Sequence, residues 1–238
     1  ELLRLEAAEL RRFTALYEQA RRELLGRLSE VRAEQFTAQH YRVALAQVEA
    51  GIAAMQAKLG AQHGERLRTV LPQSTQQTLD EIAFWEKRRK FAGGATGRIQ
   101  TDAFRRIAEV EGLLLHRFET SVATYGSTLI GEMQRRMAVH LLQRSSWRDV
   151  VVDLAGRLST KGTASVAEGS FWRAERIVRT EFIEAYNAGH QAALEATQED
   201  LPDLRRQWDA HLDPRSCSVC AGLNGQIRGL REPFQWGA

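Results

Sequence analysis

Residues Leu10 to Leu28 read L-R-R-F-T-A-L-Y-E-Q-A-R-R-E-L-L-G-R-L, and this stretch decides the fold class. Its apolar residues recur at steps of three, four or seven, which is the spacing of one face of an α-helix. The same spacing continues on both sides of the stretch and predicts a coiled-coil-like amphipathic seam. The members of the seam are Leu3, Leu10, Phe13, Tyr17, Ala20, Leu24, Leu28 and Val31, followed by Ala38, Tyr41, Leu45, Val48, Ile52, Met55 and Leu59.

Residues 33 to 38 determine whether this seam is one long helix or a hairpin of two. No Gly or Pro interrupts them, but Thr37 can cap a helix, with Phe36 and Tyr41 placed as a hydrophobic staple. We therefore expect two helices. The apolar stripe then forms either the core of this chain or an interface with another copy, and the core is the simpler interpretation.

The rest of the first 200 residues also has a helical pattern, because Pro72 is the one proline within it. We expect helix breaks at residues 60–64 and 72–75, a glycine-rich connector at 93–97 and a loop at 159–170. The predicted helices cover about 75–91, 101–142, 147–158 and 171–197. The helix over 101–142 has an apolar face made of Phe104, Ile107, Val110, Leu114, Phe118, Val122, Leu129, Met133 and Met137.

The composition changes after Leu201-Pro202, where prolines, glycines and short apolar pieces predict a small β-hairpin or knuckle. The predicted fold is therefore mainly α, a bundle of long amphipathic helices with an N-terminal coiled-coil-like hairpin and a C-terminal knuckle that contains the cysteines. We expect three parts: the N-terminal helices (1–71), a helical core (72–200) and the small C-terminal subdomain (201–238).

The charge of the chain is mildly basic, with a net charge of +3 and a pI of about 9.1. Such an excess permits contact with DNA without arguing for it. The basic residues from Lys87 to Lys90 fit either a nucleic-acid surface or cations that stabilise a helix C-terminus. No apolar run is long enough to predict a membrane span.

The sequence contains no pattern typical of a catalytic site. Paired carboxylates, a Ser/His/Asp set and His-Glu-x-x-His spacing do not stand out, so we expect no enzyme. Most histidines stand alone on helical or loop segments, where we expect surface or partly buried polar groups. These are His40, His63, His116, His140 and His190.

Cys217 and Cys220 are the only two cysteines, and their Cys-x-x-Cys spacing can hold one metal ion. A closed structural zinc site needs four ligands, so the pair supplies half of one. His211 is a candidate third ligand, and Asp209 or Asp213 is a candidate oxygen ligand. The alternative is a free thiol pair packed under a turn.

The predicted helix over 171–197 carries two features that call for a tertiary explanation. Arg179, Glu181 and Glu184 form either a surface ion-pair face or, if buried, a polar network important for packing. Asn187 and Gly189 allow the backbone of another element to approach closely, because a helical glycine costs about 1 kcal/mol and needs a compensating reason.

An ordered set of residues in the last third of the chain resembles the Mu F-like minor head protein family of tailed bacteriophages, also called phage head morphogenesis proteins. The resemblance extends from Ala174 to Phe234, which is 61 residues. The set comprises Arg179-Thr180-Glu181, Ala185-Tyr186-Asn187-x-Gly189, Trp208, Asp213-x-Arg215-x-Cys217-x-x-Cys220, Leu223, Gly225 and Pro233-Phe234.

The resemblance implies a structural protein of the virion, located in the capsid interior near the portal vertex and in the host cytoplasm during assembly. It implies a role in head assembly, DNA packaging or delivery, with the portal protein, the major capsid protein and packaged DNA as partners. It also implies zinc at Cys217 and Cys220. In the family the motif continues into His-Pro-x-Cys-Arg-Cys, which is missing before Ala238, so we expect the encoded chain to continue.

Two other functions stay open at this stage. Domains of this family also occur fused to toxic enzymes, so the chain could be the delivery part of a toxin or effector. It could also be a helical DNA-binding protein that uses Lys87 to Lys90 and the knuckle. A homo-oligomer through the N-terminal helices is a further expectation if the seam is an interface.

Overall fold

The computed structural model describes residues 2–30, 34–89, 96–160, 170–198, 200–210 and 217–235, without the side chains of 85–89 and 96–97. The described part confirms the predicted fold class, a bundle of long helices with a small C-terminal hairpin near the two cysteines. In chain order the elements are α1 (Leu2–Ser29), α2 (Ala38–Arg89), α3 (Thr96–Leu142), α4 (Trp147–Arg157), α5 (Ser170–Gln198), β1 (Arg205–Gln207), α6 (Ser218–Leu223) and β2 (Ile227–Gly229).

The chain divides into two compact units. The first unit comprises Glu1–Val70 with Val110–Tyr186, and the second comprises Leu71–Glu109 with Asn187–Ala238. Helices α2, α3 and α5 each contribute one part to each unit. The division at residues 71 and 200 that the sequence predicts is a different partition and stays a prediction.

The N-terminal hairpin of two helices is confirmed. Helix α1 ends at Ser29 and α2 begins at Ala38. The hydroxyl of Thr37 accepts a hydrogen bond from the His40 backbone N–H at 3.4 Å, and the rings of Phe36 and Tyr41 lie 6.4 Å apart. The predicted cap and hydrophobic staple therefore form together at this helix start.

The apolar stripe of this hairpin lies in the core of the first unit, as the intramolecular interpretation predicts. Phe13 and Leu28 are fully buried, and they pack with residues of α3, α4 and α5. Leu3 was predicted in the stripe but is 79% exposed, whereas Leu5 and Glu9 are buried. The buried face of a helix with 3.6 residues per turn drifts relative to a heptad pattern, which explains the shift.

The predicted breaks inside α2 are wrong, because the helix is continuous from Ala38 to Arg89. Gly60 and Gly64 cost about 1 kcal/mol each in a helix, but neighbouring residues of the same helix are buried in the core. Pro72 removes one helical hydrogen bond. Close to it, the hydroxyls of Ser74 and Thr75 both donate to the Leu71 carbonyl, at 3.1 and 2.8 Å.

The expected apolar face of α3 is confirmed except at two residues near its start. Phe104 and Val110 are only half-buried, while Ala103 and Tyr125 are buried. The helix begins at Thr96, earlier than predicted, and most of the connector at 93–97 and of the loop at 159–170 lies outside the described residues.

Helix α4 starts where the sequence predicts, at Trp147, directly after Ser145 and Ser146. The Ser146 hydroxyl accepts from the Asp149 N–H, and the Asp149 carboxylate accepts from the Ser146 N–H, which is a capping box. The buried Trp147 donates from its indole nitrogen to the Leu28 carbonyl at 3.0 Å. The start of α4 is thereby fixed to the end of α1.

In the second unit, the close approach expected at Gly189 is confirmed. The Thr75 hydroxyl donates to the Gly189 carbonyl at 3.0 Å. A Cβ atom added at Gly189 would lie 2.6 Å from the Leu71 carbonyl oxygen and would also clash with the Ser74 hydroxyl. Only glycine permits α5 and α2 to pack this closely here.

No helix in the described residues has the length and apolarity to cross a bilayer.

Replacing Gly189 by alanine should destabilise the protein by about 2 kcal/mol or more, because the Leu71 backbone carbonyl of α2 blocks the new Cβ atom. The free energy of unfolding in urea measures this effect. Gly131→Ala is the matched control, since nothing lies within 4 Å of its added Cβ, and it should stabilise by about 0.5–1 kcal/mol. Equal effects of the two changes would contradict the close packing.

Candidate functional site

Of the Arg-Thr-Glu segment of α5, only Glu181 joins a buried polar contact, and its partner is Arg117 of α3 rather than the predicted Arg179. Glu181 is 6% exposed. Arg117 of α3 donates to its Oε2 from both Nε and Nη2, at 3.0 and 2.6 Å. Glu184, one turn later, also pairs with Arg117. One guanidinium on α3 therefore pairs with two carboxylates on α5.

Arg179 and Thr180 occupy a more exposed position on the same helix. Arg179 is about half exposed and reaches Glu6 of α1 and Glu175 of its own helix, each at 3.1 Å. Thr180 is exposed. The predicted ion-pair face of Arg179 with Glu181 and Glu184 does not form, because Arg179 pairs with Glu175 on its own helix and with Glu6 of α1.

A second buried ion pair lies between α1 and α2. Glu9 is 3% exposed, and its Oε2 lies 3.4 Å from Arg66 Nε, without hydrogen-bond geometry. The guanidinium carbon of Arg66 lies 5.8 Å from the centre of the Phe182 ring on α5. Burial raises the pKa of Glu9, and Arg66 opposes that shift. Glu9 is not among the residues predicted from the sequence, although it is four residues from both Leu5 and Phe13.

His63 was expected at the surface or partly buried, but it is 3% exposed and belongs to the core of the first unit. Its ring stacks on Phe118, with centres 3.8 Å apart, and its Nε2 has no hydrogen-bond partner within the described structure. Burial, together with the charge of Arg117, lowers the pKa of His63 to about 4. His63 is therefore a neutral core residue at neutral pH.

A chain of polar contacts, which the sequence analysis also missed, closes the turn between α3 and α4. His140 Nδ1 lies 3.0 Å from the Ser145 hydroxyl, and its Nε2 lies 3.4 Å from Asp153. Arg136 donates to the same carboxylate at 2.7 Å. Arg144 has a φ of 51°, and the next N–H, of Ser145, donates to the His140 carbonyl, as in a Schellman helix end. The contacts of His140 with Ser145 and Asp153 are therefore part of how α3 ends.

The C-terminal knuckle is a two-stranded antiparallel hairpin with α6 between its strands. Gly225 has a φ of +81°, which favours glycine, and its N–H donates to the Trp208 carbonyl. The rings of Trp208 and Phe234 meet edge to face, with centres 5.2 Å apart. Gly225, Trp208 and Phe234 therefore hold the turn and its small apolar centre.

The cysteine pair lies at the start of α6. Cys217 caps the helix, and its sulfur accepts from the Cys220 N–H at 3.2 Å. This hydrogen bond lowers the pKa of Cys217, while the neighbouring Cys217 thiol raises the pKa of Cys220. Neither thiol forms a disulfide.

Two cysteines on one turn fit half of a zinc site. Among the described residues no group of three or more His, Cys, Asp or Glu side chains is placed to hold a metal. The predicted residues His211, Asp213 and Arg215 lie outside the described part of the chain. The assignment of zinc therefore stays a prediction.

The remaining residues of the predicted set occupy less buried positions. Tyr186 is half-buried, Asn187 is exposed and Asp209 is exposed. The side chains from Lys87 to Lys90 lie outside the described structure. The two expectations for that basic cluster both stay open.

Comparison with protein-family models, with curated proteins and with solved structures found no match to this chain.

The pairing of Arg117 with Glu181 should respond unequally to removal of its two members. Arg117→Ala leaves a buried carboxylate without its cation and should cost about 2–4 kcal/mol of unfolding free energy. Glu181→Ala should cost only about 1 kcal/mol, because Arg117 is 45% exposed and retains Glu184. Urea unfolding of both variants measures the difference. A larger loss in Glu181→Ala would contradict this geometry.

Burial of His63 should make the protein less stable in mild acid. Its folded pKa is lowered from 6.5 to about 4, so the unfolded chain binds more protons between these values. Stability present above pH 6.5 is lost as the pH falls towards 4, by about 3 kcal/mol in total.

The measurement is the difference in unfolding free energy between the wild type and His63→Leu across this range. The difference cancels the contribution of Glu9, whose raised pKa acts in the opposite direction. A difference that does not change with pH would show that His63 is accessible to protons in the folded protein.

Proposed function

We propose that the protein is a structural minor head protein of a tailed phage or prophage, which acts in head assembly, DNA packaging or delivery near the portal vertex. The observation that carries the proposal is the ordered motif from Arg179 to Phe234. The absence of matches to known proteins leaves that motif as its basis.

The contacts of the motif residues support a structural role. Glu181 pairs with Arg117, and Gly189 lets the α2 backbone pack closely against α5. Gly225 forms a turn from which its N–H donates to the Trp208 carbonyl. Each of these residues stabilises a fold, and none needs a substrate to explain its presence. A protein of this kind acts by binding other subunits.

Exposed apolar side chains on the first unit supply contact area for such subunits. Leu113 and Leu142 of α3 are 71% and 84% exposed, and Val152 of α4 is 63% exposed. Single exposed apolar residues are common, so this support is secondary. The proposed partners are the portal protein and the major capsid protein. Zinc held by Cys217 and Cys220 would stabilise the knuckle.

The test is affinity purification of the tagged full-length protein from phage-producing cells, followed by mass spectrometry. We expect portal or major capsid subunits to co-purify, and we expect the protein itself in purified virions or procapsids. Recovery of neither subunit, together with its absence from particles, would overturn the proposal.

A matched pair of variants locates the contact. Leu142→Ser changes an exposed apolar residue, whereas Thr180→Ser changes an exposed polar residue of the motif helix. If the exposed α3 residues touch the partner, Leu142→Ser should lower the recovery of subunits and Thr180→Ser should leave it unchanged.

A further inference from the structure

The arginines of the C-terminal hairpin lack the ion pairs that several helix arginines form. In the helices, arginines such as Arg66, Arg117 and Arg157 lie against carboxylates. Within the described residues of the hairpin, no arginine has a carboxylate within ion-pair distance. The hairpin arginines are Arg205, Arg206, Arg228 and Arg231.

Two of these arginines face each other. Arg206 of β1 is the register partner of Arg228 of β2, so both side chains leave the sheet on the same face. The Cβ atoms of residues in this relation are about 4.5–5.5 Å apart, and like charges at such positions are destabilising. Both arginines are half-buried, and the Nε atom of each is buried without a hydrogen-bond partner.

The surroundings hold Arg206 in place without neutralising it. Its Nη2 donates to the backbone carbonyl of Glu232 at 2.6 Å, and its guanidinium lies 4.8 Å from the centre of the Phe234 ring. The carboxylate of Glu232 instead accepts from the Gly229 N–H at 3.0 Å. The other described acid of the hairpin, Asp209, is exposed and forms no ion pair there.

We propose that Arg206 and Arg228 form a binding site for a phosphate group. An oxyanion between the two half-buried guanidinium groups would remove their repulsion and accept hydrogen bonds from their N–H donors. The phosphate belongs either to a free ion or to the backbone of a nucleic acid, which offers the same oxygens. This site does not depend on the proposed function, because it rests on the hairpin alone.

The experiment follows the Nε–Hε NMR signals of the arginines in the ¹⁵N-labelled full-length protein. Inorganic phosphate is titrated at constant ionic strength against chloride, and a short thymidine oligonucleotide is titrated separately. We expect the signals of Arg206 and Arg228 to shift together and to saturate. Those of Arg205 and Arg231, which are exposed, should shift little.

Two variants supply the control. Arg228→Gln removes one of the opposed charges and should weaken binding about tenfold, since a charge-assisted hydrogen bond to the anion is lost. Arg231→Gln removes an equal charge from the same hairpin and should change the affinity less than about twofold. The backbone amide signals of Gln207 and Gly229 report whether the hairpin stays folded in each variant.

Saturation by both ligands would identify the phosphate group itself as the ligand, and saturation by the oligonucleotide alone would identify a nucleic-acid backbone. Either result supports the site. Absence of any shift, equal unsaturable shifts at all four arginines, or equal losses in the two variants would overturn it.

Discussion

Glu181 places a carboxylate on the buried face of α5, and the packing of this helix has to supply a cation for it. Helix α5 contributes buried apolar residues to the first unit, among them Phe171, Val178 and Phe182. A carboxylate on such a face costs several kcal/mol unless a cation meets it. Arg117 supplies that cation from α3, and so the position of α5 against α3 is fixed by charge as well as by apolar contact.

The same helix meets a different constraint in the second unit. There its backbone approaches α2 at Gly189, where the Thr75 hydroxyl bonds to its carbonyl. Small residues such as Ala193 and Ala196 continue the buried face with Leu79 and Ile99. The motif Arg-Thr-Glu followed by Asn-x-Gly thus describes a helix that packs by a charge in one unit and by close backbone contact in the other.

Periodicity predicts most of this architecture, because amphipathic stripes, the Thr37 cap and the proline-poor composition are local signals. The exception is α2, where packing of its buried residues keeps the helix intact through Gly60, Gly64 and Pro72. The sequence also points to Glu181 and Gly189, but it leaves their partners Arg117, Ser74 and Leu71 unidentified. His63 and the opposed pair Arg206 and Arg228 depend on contacts between distant segments, which no local pattern contains. The burial of Glu9, by contrast, follows the local spacing of Leu5 and Phe13.

Hydrogen exchange of the full-length protein tests most directly the claim that α5 organises the packing of each unit. We expect α5 amides in both parts, before and after Asn187, to be among the slowest to exchange in the chain and to open only on global unfolding. Exchange of α5 amides as fast as that of the first turns of α1, where Leu3 is 79% exposed, would contradict it.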